Sequence, residues 1–450
     1  MDREHDCPYR IELEELKAQF AILLQRVEVL EAELAKYKKP PKDSSNSGVP
    51  PSKDQNRRHY PKREQSGKKP GGQLGHPGHS HPMTEHPDTV VECPLPEACP
   101  HCGEKDWDVD PELCGRMQVV DIPPVKPHVT EYHQKRGRCR RCETVVKSSL
   151  PGDGPVEIGE HASALATFFK TCDGMSDERV VEALSLFGLK VSEGWVEKTL
   201  SRQAEWFSGM YEAIRQGITA SRVRGSDETG VRINGKRGYI WIAQTSRLVY
   251  FKTEFSRSFR VIEGILGKGF QGTHVSDRYG GQLKLEAGFN QYCLAHIVRE
   301  CRYLEEAEKS EWAARLKSAL RAAMDFRREH GENYQPGECR QAIGKLEDDL
   351  SQCFAHGPPE GKHSARLYRG LRCHLDKLIR FLHDPDVPPT NNDSERPLRH
   401  WALLKKVFGG FRTLPGVNRY DVLLSIVQSA KRQGLNVLDV LSGQVQIQTA

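Results

Sequence analysis

Between residues 221 and 304 the spacing of apolar residues changes period several times, and the order of those changes narrows the fold more than any other feature. Residues 222–225, 238–245 and 248–253 read as three successive strands, with Asn234-Gly235 as a hairpin signal. A helix is expected from about 258 to 266, a fourth strand over 272–276 and a helix over 293–304. The rest of the chain sets this segment in a multidomain α/β protein.

Strand, strand, strand, helix, strand, helix is the opening order of a ribonuclease-H-like domain, in which the first and fourth strands lie side by side. Asp227 is expected to end the first strand and Asp277 the fourth, so the two carboxylates would project from neighbouring strand ends at one edge of the sheet. A third carboxylate from a later helix would complete a site for two hard cations about 3.5–4 Å apart. Magnesium or manganese suits such oxygen donors, and the paired ions would hold the attacking and leaving oxygens of a phosphodiester. Glu395 is the best-placed third acid, in Thr390-Asn-Asn-Asp-Ser-Glu-Arg-Pro-Leu-Arg399. Asn392 or Asp393 can cap a helix there, with Pro397 tolerated in its first turn. Arg396 and Arg399 lie one helical turn apart and, with Lys405 and Lys406, are candidate DNA-phosphate contacts. The competing reading is an ordinary capped, charged surface helix, and aspartates at strand ends are common in any sheet.

Upstream, residues 8–39 read as a coiled coil. Leu13, Leu16, Phe20, Leu23, Val27, Leu30, Leu34 and Tyr37 alternate steps of three and four along a heptad seam, which favours a homo-oligomer over an amphipathic helix packed on its own domain. Residues 40–88 break every periodicity with Pro, Gly and Ser. Eleven Lys or Arg against three acidic residues between Lys36 and Lys69 make the tract a basic linker suited to a phosphate backbone. Over 89–150, Cys99-Pro-His-Cys102 and Cys139-Arg-Arg-Cys142 bracket strand-like material at 117–122 and 129–133. Four thiolates so spaced suit one structural zinc ion. Cys93 and Cys114 read as ordinary thiols. Residues 155–218 are helical; Ser176 and Ser192 are caps on either side of a Gly188 turn, a helix-turn-helix outline shared by many plain hairpins. The catalytic domain is placed at 219–436, with a helical insertion at about 305–385, and a tail at 437–450.

Whole-chain properties exclude more than they assert. Thirteen cysteines do not suit a secreted disulfide framework, and the acidic N-terminus lacks the layout of a signal peptide. With no apolar run near the roughly 20 residues that span a bilayer, a cytoplasmic, nucleoid-associated protein is expected. The net charge of +5 is too small to demonstrate a nucleic-acid partner on its own.

Taken together, Ser226-Asp-Glu-Thr-Gly230, His274-Val-Ser-Asp277, Cys293-Leu-Ala-His296, residues 390–399 and Ser425-Ile-Val-Gln-Ser-Ala-Lys431 with Gly434-Leu-Asn436 resemble the insertion sequence 66 family of bacterial transposases. So do the N-terminal seam, the Gly71-Gly-Gln-Leu-Gly-His-Pro-Gly78 tract and the CxxC pair. The resemblance implies a DDE transposase that cleaves mobile-element ends and joins them to target DNA, with Asp227, Asp277 and Glu395 as the metal-binding triad. Accessory proteins of the same element are a further partner class. Glu228 and Asp393 are rival carboxylates. His296, on the helix after the fifth strand, is a supporting residue for the scissile phosphate or Asp277, unless it is a satisfied core histidine. A structure-selective nuclease on the same fold, and a DNA-binding regulator with a dead nuclease-like domain, are the competing functions; the intact triad argues against the regulator.

Overall fold

The computed structural model describes residues 8–37, 42–43, 46, 82–109, 115–152, 154–278, 280–281 and 284–449. The chain divides into two compact units, residues 59–133 with 185–189 and the remainder. No helix among the described residues is long and apolar enough to cross a membrane.

The smaller unit contains no strand among its described residues. The apolar side chains of the two expected strand segments, Met117, Val119, Val120, Ile122 and Val129, stay exposed, and no partner strand lies beside them. Without a ladder to satisfy the backbone, apolar alternation alone does not make a strand. Gln118 closes this unit by a reciprocal pair of hydrogen bonds with the Thr84 backbone, at 2.8 and 2.7 Å.

The larger unit begins with helix α1 (Pro8–Tyr37). Seam residues Leu16, Phe20, Leu23, Val27 and Leu30 are 49–65% exposed; Leu13, Leu34 and Tyr37 lie outside the described side chains. Most of the linker expected at 40–88 lies outside the described residues. A short ribbon, β1 (Arg136–Arg138) antiparallel to β2 (Val145–Lys147), flanks the second CxxC. Four helices follow: α2 (Glu160–Thr171), α3 (Asp177–Leu186), α4 (Glu193–Trp206) and α5 (Ser208–Ala220). Ser192 caps α4 by accepting the Trp195 N–H, and Gly188 takes the positive φ of +79° that the turn requires.

A five-stranded sheet comes next: β3 (Val223–Ile233), β4 (Lys236–Gln244) and β5 (Val249–Glu254), helix α6 (Phe259–Leu266), then β6 (Phe270–Ser276) and β7 (Ala287–Tyr292), for which the sequence pattern sets no bounds. The order is β5-β4-β3-β6-β7. The first three strands are antiparallel, while β6 pairs parallel to both β3 and β7. Strands one and four of the segment are therefore neighbours, as expected. Asn234 and Gly235, at φ 46° and 71°, close the first hairpin. Alternation along β4 buries Trp241 and Ala243 on one face, with α5 and α6, and Ile240 and Ile242 on the other.

After the sheet come α7 (Leu294–Glu308), α8 (Glu311–His330), α9 (Arg340–Gln352), α10 (Lys362–Leu371) and α11 (Asp376–His383). The helices α8–α11 fill the expected insertion and share a core with α7, including Trp312, Leu316, Tyr368 and Phe381. The chain returns through α12 (Asn392–Val407), α13 (Leu414–Arg432) and α14 (Val437–Leu441). Val437, Val440, Leu441 and Ile447 are buried, so the expected tail contributes to a core.

Helix α13 covers the open edge of β5. The Val249, Phe251 and Thr253 amides donate to Ser429 Oγ at 2.9 Å, Ser425 Oγ at 2.9 Å and Asp421 Oδ2 at 2.7 Å. Two strand residues advance about 6.6 Å and four helix residues about 6 Å, so a helical i, i+4, i+8 stripe matches alternate strand amides. A strand edge otherwise open to pairing is thereby closed.

Candidate active site

Strand β3 does not end at Asp227. It continues to Ile233 because its pairing with β4 runs unbroken to the Asn-Gly turn. What ends is the pairing with β6, whose last registered partners are Gly225 and Val275. Asp227 and Asp277 each lie two residues beyond that point, Asp227 still within β3 and Asp277 just past the end of β6. Both are partly buried. The Asp227 carboxyl is pushed well above the usual carboxylate range, first by burial, then by Asp277, Glu228 and, more weakly, Glu395; the Glu228 N–H opposes this. Two acids from distant parts of the sequence, Asp277 and Glu395, thus act electrostatically on Asp227.

Glu228 points away from that group. Its carboxylate, 2% exposed, pairs with Arg257 at 2.6 Å, as strand alternation requires of a neighbour of Asp227. Beneath the two aspartates, His274 is fully buried and its Nε2 lies 3.1 Å from Ser226 Oγ. Burial, reinforced by Arg224, lowers its pKa to about 3, so the ring is neutral.

Glu395 arrives on the first turn of α12, and Asn391 sets its approach. The helix starts one residue earlier than a cap at Asn392 or Asp393 would place it. Asn391 Nδ2 donates to the Ser226 carbonyl at 2.8 Å, its Oδ1 accepts the Ser394 hydroxyl at 2.7 Å, and its backbone N–H donates to Cys293 Sγ at 3.1 Å. One residue, 2% exposed, therefore joins the segments carrying Asp227, Cys293 and Glu395. Gly225 leaves the necessary room: a Cβ there would lie 3.0 Å from Asn391 Oδ1. Pro397 has no N–H to give the Asp393 carbonyl four residues back. Arg432 supplies a donor instead, its Nη2 bonding that carbonyl at 2.7 Å. Asp393 itself is exposed.

The basic residues near Glu395 divide by role. Arg299 and Arg399 each approach its carboxylate at 3.4 Å, and His296 Nε2 lies at 3.9 Å. His296 is pushed down to about 4, first by burial and then by Arg299, so its ring is neutral at physiological pH. Lys405 donates to Thr229 Oγ1 and the Gly230 carbonyl at 3.1 and 2.7 Å, tying α12 to β3. Arg396 and Lys406 are exposed. Sequence reasoning passed over Arg299, Asn391 and Arg432. The first had a signal, since Cys293, His296 and Arg299 recur every three residues on α7.

Each CxxC forms the same turn within its own unit. The Cys99 N–H bonds the Glu104 carbonyl and the Gly103 N–H the Cys99 carbonyl; Cys139 repeats both bonds with Thr144 and Glu143. Backbone donors at Cys102 and His101 lower the Cys99 thiol's pKa, and Thr144 lowers that of Cys142. Among the described residues, the group with three potential metal-ligand atoms all within 4.8 Å of one another is Cys293, His296 and Glu395.

A mixed sheet with one aspartate on β3, a second just past the end of β6 and a glutamate on a later helix forms the candidate site. Residues 156–419, more than half of the chain, match the model of the Transposase IS66 family, and the chain belongs to that family. A relative at 31% identity over 71 residues is "Uncharacterized protein y4jO" of Sinorhizobium fredii (strain NBRC 101917 / NGR234). That alignment covers 16% of this chain and 22% of the relative, about a fifth of the relative's length.

Proposed function

We propose that this protein is a DDE-type DNA transposase, which cuts at the ends of its element and joins those ends to target DNA. The observation that carries this reading is the placement of Asp227 and Asp277 two residues past the last registered pair of β3 and β6, with Asp277 and Glu395 both acting on Asp227. The donors fit a divalent metal. They are all carboxylate oxygens, and the Asp227 pKa is raised first by burial and then by the neighbouring acids, whose repulsion a bound cation would relieve. Asp227, Asp277 and Glu395 would hold two magnesium or manganese ions. When bound, these supply Lewis-acid polarisation of the scissile phosphate and activate the attacking water or 3′-hydroxyl.

The chain's own residues do the rest. Asn391 fixes the Glu395 turn against β3, and Lys405 secures α12 below it. Neutral His296 would share a hydrogen bond with a phosphate oxygen, while Arg299 and Arg399 neutralise charge at Glu395 and would contact a phosphodiester bound beside it. Exposed Arg396 and Lys406 extend the phosphate contacts along the DNA backbone. The α1 seam supplies self-association, as its exposed leucines suggest. By their spacing along the sequence, Cys99, Cys102, Cys139 and Cys142 are the structural zinc ligands.

The test uses full-length protein and duplex DNA carrying the sequences that flank its coding region, with labelled strands. Cleavage and joining should require magnesium or manganese. Asp227→Ala, Asp277→Ala and Glu395→Ala should each lower cleavage by at least about 100-fold with DNA affinity little changed. Normal cleavage by all three variants would refute the reading; cleavage without joining would favour a nuclease.

A further inference from the structure

Cys293 is the N-cap of α7 and His296 follows one turn later, so both face the start of α12, where Glu395 lies. Their ligand atoms and a Glu395 oxygen all lie within 4.8 Å of one another. Ligands around a tetrahedral zinc ion stand about 3.3–3.6 Å apart, from bonds of about 2.0–2.3 Å, so a shift of roughly an ångström closes this set. We propose that Cys293, His296 and Glu395 form a second metal site, for a thiophilic cation such as Zn2+, that competes with the magnesium set for Glu395.

Three further observations support it. Cys293 Sγ already accepts the Asn391 backbone N–H at 3.1 Å, the kind of outer hydrogen bond that orients and stabilises a metal-bound thiolate. His296 Nδ1 is buried with no hydrogen-bond partner, while Nε2 lies 3.9 Å from Glu395, so one ring nitrogen faces the carboxylate and the other has its bonding capacity unmet. The donor types differ from those of the triad: sulfur and imidazole favour zinc over magnesium, whereas Asp227 and Asp277 offer oxygen alone. On binding, the Cys293 thiol releases its proton to solvent and a sulfur–metal bond forms; no electrons are transferred. The fourth position falls to water. Glu395 cannot then serve the triad fully, so zinc should inhibit DNA cleavage. Binding does not depend on the transposase reading, but the inhibition does.

The experiment titrates metal-depleted full-length protein with Co2+, a zinc substitute whose absorption reports thiolate coordination, and compares wild type with Cys293→Ser and His296→Asn. Serine keeps the size and the hydrogen-bond acceptor; asparagine is the second variant should serine disturb the buried position. The CxxC pairs bind cobalt equally in all three proteins. Wild type should therefore take up about one more equivalent than either variant, with a matching gain in thiolate-to-cobalt absorption. Equal uptake in wild type and both folded variants would overturn the site. In parallel, zinc is added to magnesium-supported cleavage, each protein being scored against its own zinc-free rate. Inhibition should need at least about tenfold more zinc in either variant than in wild type. Equal inhibition despite the extra cobalt equivalent would overturn the sharing of Glu395. Absence of magnesium-supported cleavage in wild type would count against the transposase reading, while the cobalt titration would still decide the site.

Discussion

Replacing Asn391 by alanine should uncouple catalysis from folding. The side chain makes two buried hydrogen bonds, to the Ser226 carbonyl and from the Ser394 hydroxyl, and both partner residues are fully buried. Its removal strands one acceptor and one donor, at about 1–3 kcal/mol each, or on the order of 2–6 kcal/mol together. The rest of α12 stays anchored by Leu398, Trp401 and Leu404 in the core and by Lys405 on β3. The loss therefore falls on the first turn, where Glu395 sits. A displacement of about 1 Å there should lower kcat by about 100-fold, raise the magnesium concentration for half-maximal cleavage by about tenfold, and leave DNA affinity nearly unchanged. Single-turnover cleavage across a magnesium series, anisotropy for DNA binding and thermal unfolding on the same samples separate these effects. If Asn391→Ala unfolds at lower temperature yet cleaves at the wild-type rate with unchanged magnesium dependence, the residue is structural only and the argument fails.

Asp421, fully buried, is pushed up to about 7, chiefly by burial. A folded pKa above the unfolded value means that stability falls as pH rises from about 4 to about 7, by on the order of 4 kcal/mol above both. Asp421→Asn keeps an acceptor for the Thr253 amide, so it should match or trail wild type at pH 4.5 and exceed it at pH 8 in denaturant unfolding; a difference independent of pH would count against this. Purified protein should carry about one zinc ion per chain at the CxxC cysteines, lost in Cys139→Ser; elemental analysis finding the same content in both removes the claim. Deleting residues 1–39 should lower the mass measured by light scattering, since the Leu16–Leu30 stretch of the seam is exposed; an unchanged oligomer would show that another surface carries assembly.

What was legible in the sequence was whatever local chemistry decides. The Asn234-Gly235 turn, the Ser192 cap and the strand order all follow from short-range rules, and the neighbouring placement of Asp227 and Asp277 follows from that order. The segments at 117–122 and 129–133 show the limit of alternation: their apolar residues have the right period, but a strand also needs a partner. The end of β3 was misplaced because Asp and Gly at 227 and 230 resemble a stop, whereas the ladder to β4 continues through them. Asn391 was hidden for a different reason. As a sequence signal it is an ordinary residue before a helix, and its importance comes from a carbonyl 165 positions away.

The long interval between Asp277 and Glu395 has the same resolution. A flexible loop of that length would fix neither the position nor the angle of the third acid. Here the interval is a helical body with its own buried side chains, so its folding is driven by its own core rather than by the active site. Its exit is then fixed beside its entrance. The Leu294 amide, at the start of α7, bonds the Pro389 carbonyl at 3.0 Å, and two residues later the Asn391 amide reaches Cys293 Sγ. The two ends of the insertion are thus stitched together next to β6 and β3. Glu395 depends on that stitch more than on its distance along the chain. Substitutions deep within the α8–α10 core should accordingly affect stability before catalysis, whereas those at Pro389–Ser394 should do the reverse.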